Sequence, residues 1–351
     1  MTTSALFERR RALRSSSHIR YFLFCCFVVG VLVAWRMPSM SAALERRSMD
    51  NTQAILQQYV ADAREGWRDD NIGSLHAPLP LRVVTYNVRY ATQSPDAGEK
   101  PWKVRAPKLG TQLQFITAGH DNAFLCLQEC LHEQVVEIGE RLGSAWAFVG
   151  RGRDTKETDG EYSPIFYQPE TWECERWDTR WLSKTPTKPS RGWDAVLNRI
   201  ATIGVFRHRA TDTRVVVIAT HFDHVGQVAR KHSAELLIQF AQEWRDEYNP
   251  SAVFIGGDFN SPPGDGAYQA MVAEGSGMSD VHALVGKGKR YGNDLTYTGF
   301  GKETRERIDF LFVQEPRSVQ VKTFGTLANV FDDGVMISDH RPVVADFVLP
   351  V

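Results

Sequence analysis

Six short apolar runs in this chain stop at polar side chains, and that recurrence limits the fold more than any other feature. VVTYN ends at Asn87 and LCLQE at Gln128 and Glu129; VVVIAT is followed by His221 and Asp223, and VFIGG by Asp258 and Asn260. Asp309 sits within RIDFLF, and Asp339 and His340 precede RPVV. Apolar runs of about 4–8 residues bounded by turn formers suit strands buried on both faces. One polar ending is an ordinary turn; six point to a shared site. Asp258 and Asn260, two apart on extended chain, face the same side. Gly256 and Gly257, just before them, permit a close backbone approach.

Between these runs the elements alternate. Strands are expected at Leu81–Arg89, Ala123–Glu129, Ala145–Gly150, Tyr162–Tyr167, Arg199–Phe206, Arg214–Thr220, Arg307–Val313 and Pro342–Val348, with Val319–Phe324 between the last two, and in the stretch Ala252–Ser261, whose apolar run stops at two glycines. Helices are expected at Trp102–Thr117, Glu133–Leu142 and Gln227–Tyr248, while Trp172–Trp193, with four tryptophans among several prolines, reads as irregular. Alternation of this kind gives sheets covered by helices. The strand-rich total favours a two-sheet α/β sandwich, and no G-x-G-x-x-G follows the first strand to suggest a dinucleotide fold.

The N-terminal part is different in kind. Tyr21–Trp35 is fifteen residues without a charge, and residues 1–36 hold six arginines against Glu8, so the remainder carries about −6 of a total of −1. As a helix the run would span about 22 Å, short for a hydrocarbon core of about 30 Å, although flanking arginines can reach outward. It reads as an uncleaved signal-anchor over 21–36 behind a basic cytoplasmic tail, 1–20, with a cleaved signal peptide as the alternative. In either case the rest of the chain would be lumenal or extracellular. Residues 37–80 read as a helical stalk ending at Pro78 and Pro80, and 81–351 as the catalytic domain. The mildly acidic bulk argues against a surface built for extended duplex binding. Cys126, Cys130 and Cys174 form no C-x-x-C pair or Cys/His cluster, so structural zinc is not expected. Cys126, inside an apolar run, reads as a buried thiol.

The polar types at the strand ends agree with one chemistry. A hard cation such as Mg²⁺ takes oxygen ligands from a few carboxylates or amides, which Glu129, Asn87 and Asp339 could supply. Histidines beside it can move protons, each held in one tautomer by a carboxylate. Glu161 and Asp309 are available for that.

In these motifs, Thr85-Tyr-Asn87, Leu127-Gln-Glu129, Thr220-His221, Gly257-Asp-Phe-Asn260, Arg307-Ile-Asp309 and Ser338-Asp-His340, the chain resembles the endonuclease/exonuclease/phosphatase superfamily. The resemblance covers about Leu81 to Val351. It implies a DNase-I-like four-layer α/β/β/α sandwich with two mainly antiparallel sheets, and a Mg²⁺-dependent phosphoester hydrolase in which Mn²⁺ can substitute. It makes Glu129 the principal metal ligand, with Asn87 and Asp339 completing the metal site. Asp258 and Asn260 would orient or deprotonate the attacking water and hold the phosphate. His340, paired with Asp309, and His221, partnered by Glu161, would stabilise the phosphorane or protonate the leaving oxygen, and Arg199 would contact the phosphate. The implied substrate is a phospholipid head group, a sugar phosphate or a nucleic acid. A nuclease, or a catalytically silent binding domain on the same fold, is the alternative. The membrane enters only through the N-terminal segment, and no protein partner is expected.

Three loops would carry specificity, since fold alone does not choose a substrate: Arg151–Gly160, Trp172–Asn198 and the basic Gly286–Arg307. The tryptophans of the second pack their loop or stack on bases or sugars. His224 and Arg230, just behind His221, are either substrate contacts or the start of the following helix.

Overall fold

In the computed structural model, residues 78–302, 305–314 and 319–350 are described. The tail, signal-anchor and stalk expected over 1–77 lie outside them. Among the described residues no helix is long and apolar enough to cross a membrane.

Among the described residues, thirteen strands form two sheets. The first has the order β10-β12-β13-β1-β2-β4-β3 and the second β5-β6-β7-β8-β11-β9. The strands are β1 Leu79–Asn87, β2 Ala123–Gln128, β3 Ala147–Val149, β4 Ile165–Tyr167, β5 Trp172–Trp181, β6 Ile200–His208 and β7 Arg214–His221, then β8 Ala252–Asp258, β9 Met278–Asp280, β10 Arg290–Gly292, β11 Asp309–Gln314, β12 Gln320–Thr326 and β13 Val343–Leu349. The helices are α1 Trp102–Thr117, α2 His132–Leu142, α3 Gln227–Tyr248, α4 Gly266–Met271 and α5 Val281–Leu284. Pairing is mostly antiparallel, the parallel pairs being β1–β2, β7–β8 and β10–β12.

Three separate apolar clusters define four layers. One lies between the sheets, where Phe254 meets Phe347 with ring centroids 4.7 Å apart. A second joins the outer face of the second sheet to α3 and α4 through Leu237, Phe240 and Met271. The third joins the outer face of the first sheet to α1 and α2 through Leu109, Leu113, Val135 and Ile138. This is the expected α/β/β/α sandwich. Central strands covered on both sides read as continuous apolar runs, which is why β1, β2, β7 and β8 stand out in the sequence.

The two glycines of β8 serve this packing. The strand runs through them to Asp258. A Cβ on Gly256 would come within 2.9 Å of the Cys126 side chain in the facing sheet, and one on Gly257 within 2.6 Å of the Thr220 carbonyl oxygen. They let the sheets and neighbouring strands close up directly behind the site.

The Trp172–Trp193 region departs from expectation. Its first ten residues are β5, an edge strand paired with β6. A bulge between Cys174 and Arg176 breaks the alternation, and the exposed face of an edge strand tolerates the charges that hid it. Trp172 and Trp181 are buried, and Trp193 stacks on His232 with centroids 4.3 Å apart, so three of the four tryptophans pack. β1 also begins two residues earlier than expected, with Pro80 opposite Val348. Cys126, Cys130 and Cys174 are all free thiols, and burial pushes that of Cys126 up to about 12.

Candidate active site

Strand register does most of the assembly. In the second sheet His221 pairs with Asp258 across β7–β8, and Asp258 with Asp309 across β8–β11. Three strand ends therefore set those side chains in one row. In the first sheet Asn87 pairs with Gln128, which places Glu129 beside Asn87. A bridge between Cys130 and Tyr162 brings Glu161 up to the same end. His340 joins through a bridge to Tyr297, on the loop before β11.

The centre of the arrangement is one atom, Oδ2 of Asp258. It accepts a hydrogen bond from Asn87 Nδ2 at 3.0 Å and lies 3.5 Å from His221 Nε2 and 3.6 Å from His340 Nε2. Its other oxygen accepts from the Asn260 amide at 2.9 Å. Burial, and then the charge of Asp309, pushes the Asp258 carboxyl up to about 7. His340 goes the other way from a simple buried imidazole. Burial alone would lower it, but Asp309 and Asp258 outweigh that and hold it well above its usual range. Its Nδ1 is 2.8 Å from Asp309 Oδ2.

His221 is neutral in character, held well below its usual range by burial and then by the nearby Arg199 and Arg153. Its tautomer follows from Asn260. Asn260 Nδ2 donates to the Phe222 carbonyl at 3.0 Å, which fixes the amide orientation, and lies 3.0 Å from His221 Nε2. An amide nitrogen only donates, so Nε2 accepts and the proton sits on Nδ1. That Nδ1 has no hydrogen-bond partner. The Glu161 expected to serve it lies 3.8 Å away, and its carboxylate is taken by Arg153 Nη1 at 2.6 Å. Glu161 is thus beside His221 as expected, but its hydrogen bond goes to an arginine of the Arg151–Gly160 loop.

Glu129 and Asp339 form the other wall. Glu129 accepts from Asn87 Nδ2 at 2.9 Å and from the Tyr90 amide at 3.1 Å. Burial raises its carboxyl, but the Asn87 hydrogen bond and the charges of His340 and Arg89 bring it below the usual range. Asp339 is raised by burial, and the adjacent Glu129 adds to that against the opposing His340. Two crowded carboxylates with an amide oxygen are a donor set that suits a hard divalent cation. Asn87 spends its nitrogen on Glu129 and Asp258, and its Oδ1 accepts from the Arg89 amide at 3.0 Å, leaving one lone pair for an ion. Asp258, Asp309 and His340 also bring ligand atoms within 4.8 Å of one another. The proton between His340 and Asp309 makes that trio a better proton relay than a cage.

The backbone around these groups is unusual. Arg89, Glu129 and Asn260 all have positive φ, at 60°, 61° and 46°, a conformation non-glycine residues hold only when their surroundings over-determine it. Here they do. Gln134 Nε2 donates to the Arg89 carbonyl at 3.1 Å, the Glu129 carboxylate accepts from Asn87 Nδ2 and the Tyr90 amide, and the Asn260 amide donates to Asp258 Oδ1 at 2.9 Å.

A profile of the Endonuclease/Exonuclease/phosphatase family matches residues 34–340. The chain belongs to that family. Among solved structures, a family protein from Bacteroides thetaiotaomicron is 30% identical, covering 79% of this chain and 97% of its own, with a TM-score of 0.70. A Bacteroides vulgatus member is 32% identical over 78% of this chain and 100% of its own, with a TM-score of 0.68. A mannosyl-6-phosphatase of Bacteroides thetaiotaomicron is 31% identical over 77% and 100%, with a TM-score of 0.67. No curated protein matches the chain significantly. Members of the endonuclease/exonuclease/phosphatase family are generally hydrolytic phosphoesterases, typically with divalent metals.

Several contributors escaped the sequence reading. Arg153 gave no signal beyond lying in a polar loop, and Arg89 none beyond following Asn87. Arg199 is buried, with Nη2 3.0 Å from His224 Nδ1. His224 therefore touches the site, whereas Arg230 pairs with Asp265 at 3.1 Å and donates to the Asp223 carbonyl, a structural role. Three of the six basic residues of the Gly286–Arg307 loop are engaged within the fold: Arg307 pairs with Asp280, Lys302 with Asp96, and Arg290 donates to the Val285 carbonyl.

Proposed function

We propose that the chain hydrolyses phosphate monoesters of sugars by water attack on phosphorus, with Mg²⁺ as the metal and Mn²⁺ as a substitute. The observation that carries the reaction class is the convergence of Asn87 and two imidazoles on Asp258 Oδ2 beside the Glu129–Asp339 pair. The sugar-phosphate class is supported by the likeness to the mannosyl-6-phosphatase.

Glu129 and Asp339 would hold the ion with Asn87 Oδ1, and the Asn87 amide nitrogen orders Glu129. When bound, such an ion polarises a phosphoryl oxygen and offsets the charge that develops there. Asp258, raised toward neutrality by its own burial, is suited to take a proton from the attacking water. The cationic His340 Nε2 can hold a phosphoryl oxygen as charge builds, while both amide hydrogens of Asn260 go to the Phe222 carbonyl and His221 Nε2. His340, kept charged by Asp309, is the group able to return a proton to the leaving oxygen. His221, neutral with Nε2 as acceptor, is held by Asn260 Nδ2.

The test is a panel with Mg²⁺: hexose 6-phosphates, inositol phosphates, sphingomyelin, plasmid DNA and RNA. Phosphate release from a hexose phosphate at least tenfold faster than cleavage of any diester is expected. Nicking of DNA as the fastest reaction would replace this reading with a nuclease.

A further inference from the structure

Beside His221 the structure buries more hydrogen-bond donors than it satisfies. Arg199 is 4% exposed, yet its Nε and Nη1 make no hydrogen bond; nor do Nε of the 8%-exposed Arg153 and Nδ1 of His221. Buried polar groups are ordinarily paired, so four unpaired donors lining one recess, with Glu161, Tyr162, Ser163 and Ile200 making up the rest of its wall, point to an oxygen-rich anion. Counter-charge nearby is already committed. Asp223, 3.5 Å from Arg199 Nε, accepts from the amides of Val196, Leu197, Val225 and Gly226. Glu161 is engaged by Arg153 at 2.6 Å and stands 3.9 Å from Arg199.

Arg199 is the arginine that the family resemblance marks for phosphate; Arg153 carries no such mark. We propose that Arg153, acting with Arg199, reads the dianionic end of a phosphate monoester and is the residue that favours monoesters over diesters at this site. This rests on the phosphomonoester reading above and adds the residue responsible. A monoester dianion presents three non-bridging oxygens and a double charge, a diester two and a single charge. Arg153 is held ready for this. Its amide donates to the Glu161 carbonyl at 3.1 Å, and its carbonyl accepts from Trp181 Nε1 at 2.7 Å, so little order is lost when an anion docks.

The test measures binding, so it does not depend on turnover. Inorganic phosphate at pH 8 and dimethyl phosphate are titrated calorimetrically in Mg²⁺ buffer into the wild type, Arg153→Met, Arg153→Lys and the double variant Arg153→Met/Glu161→Gln. The wild type should bind phosphate at least about tenfold more tightly than dimethyl phosphate. Arg153→Met should weaken phosphate by about 10- to 100-fold, the range for a lost hydrogen bond to a charged group, with dimethyl phosphate little changed. The lysine variant should fall between. The double variant, which leaves no stranded carboxylate, should keep the loss of discrimination. Equal weakening of both anions, an unchanged ratio, or no phosphate binding by the wild type would overturn the proposal. Phosphate binding without turnover would instead count against the hydrolase reading alone.

Discussion

Glu129→Gln is expected to lower kcat/KM for a phosphoester by about 10³-fold, with His340→Ala losing about 10²–10⁴-fold. Each tenfold is about 1.4 kcal/mol of transition-state stabilisation. Glutamine at 129 is nearly isosteric and keeps one of the two accepted hydrogen bonds, from Asn87 Nδ2 to Oε1 or from the Tyr90 amide to Oε2, giving up the other along with the charge. The fold should therefore survive, with Tm within a few degrees of wild type. Activity and melting curves on the same preparations check this. Full activity in either variant would remove the site from the account, whereas loss of both activity and folding would make Glu129 a structural residue.

The second large effect lies away from the chemistry. Arg105, on α1, is fully buried, and its guanidinium donates to five backbone carbonyls: Lys100, Val88, Ile337, Arg89 and Tyr90, at 3.0, 2.8, 3.0, 3.2 and 3.3 Å. Glu99 lies 3.5 Å away as counter-charge. These carbonyls belong to the segments that carry Asn87 and Glu129's partner Tyr90 on one side and Asp339 on the other, so Arg105 ties the two walls of the metal-binding half together. Arg105→Ala strands several buried acceptors and leaves Arg89 as the remaining counter-charge of Glu99, a cost of about 3–5 kcal/mol. At about 2–4 °C per kcal/mol for a domain this size, Tm should fall by about 6–20 °C, which a thermal melt reads. A shift under about 3 °C would mean that water replaces the guanidinium without penalty.

Arg105 also shows where sequence reasoning reaches its limit. A single arginine on an amphipathic helix looks like a solvated charge, because its partners are main-chain carbonyls from residues 88 to 337 that carry no residue-type signature. The same holds for Arg153, whose capture of Glu161 depends on how a polar loop folds back. By contrast the strand-end motifs were readable because burial on both faces forces unbroken apolar runs, and because register across β7, β8 and β11 carries His221, Asp258 and Asp309 into one row. The helices over 102–117 and 227–248 were readable in full, since both have clear ends in Pro101 and in the left-handed Asn249. The edge strand β5 was not, since its bulge and its charged exposed face erase the period on which strand recognition depends.

His221 sharpens this further. Its residue type and its neighbourhood were anticipated, yet its state depends on Asn260, whose amide orientation fixes the tautomer and leaves Nδ1–H facing Arg153's partner Glu161. Residue identity gave the cast, and hydrogen-bond direction gave the roles.

The central claim is that these strand ends activate water for attack on phosphorus. Turnover of a hexose 6-phosphate in ¹⁸O-labelled water with Mg²⁺ tests it most directly. The account predicts one labelled oxygen in each phosphate released and none in the sugar, with the reaction abolished by chelation and restored by Mg²⁺ or Mn²⁺. Label in the sugar hydroxyl, or no turnover of any mono- or diester by the folded protein with either metal, would contradict it.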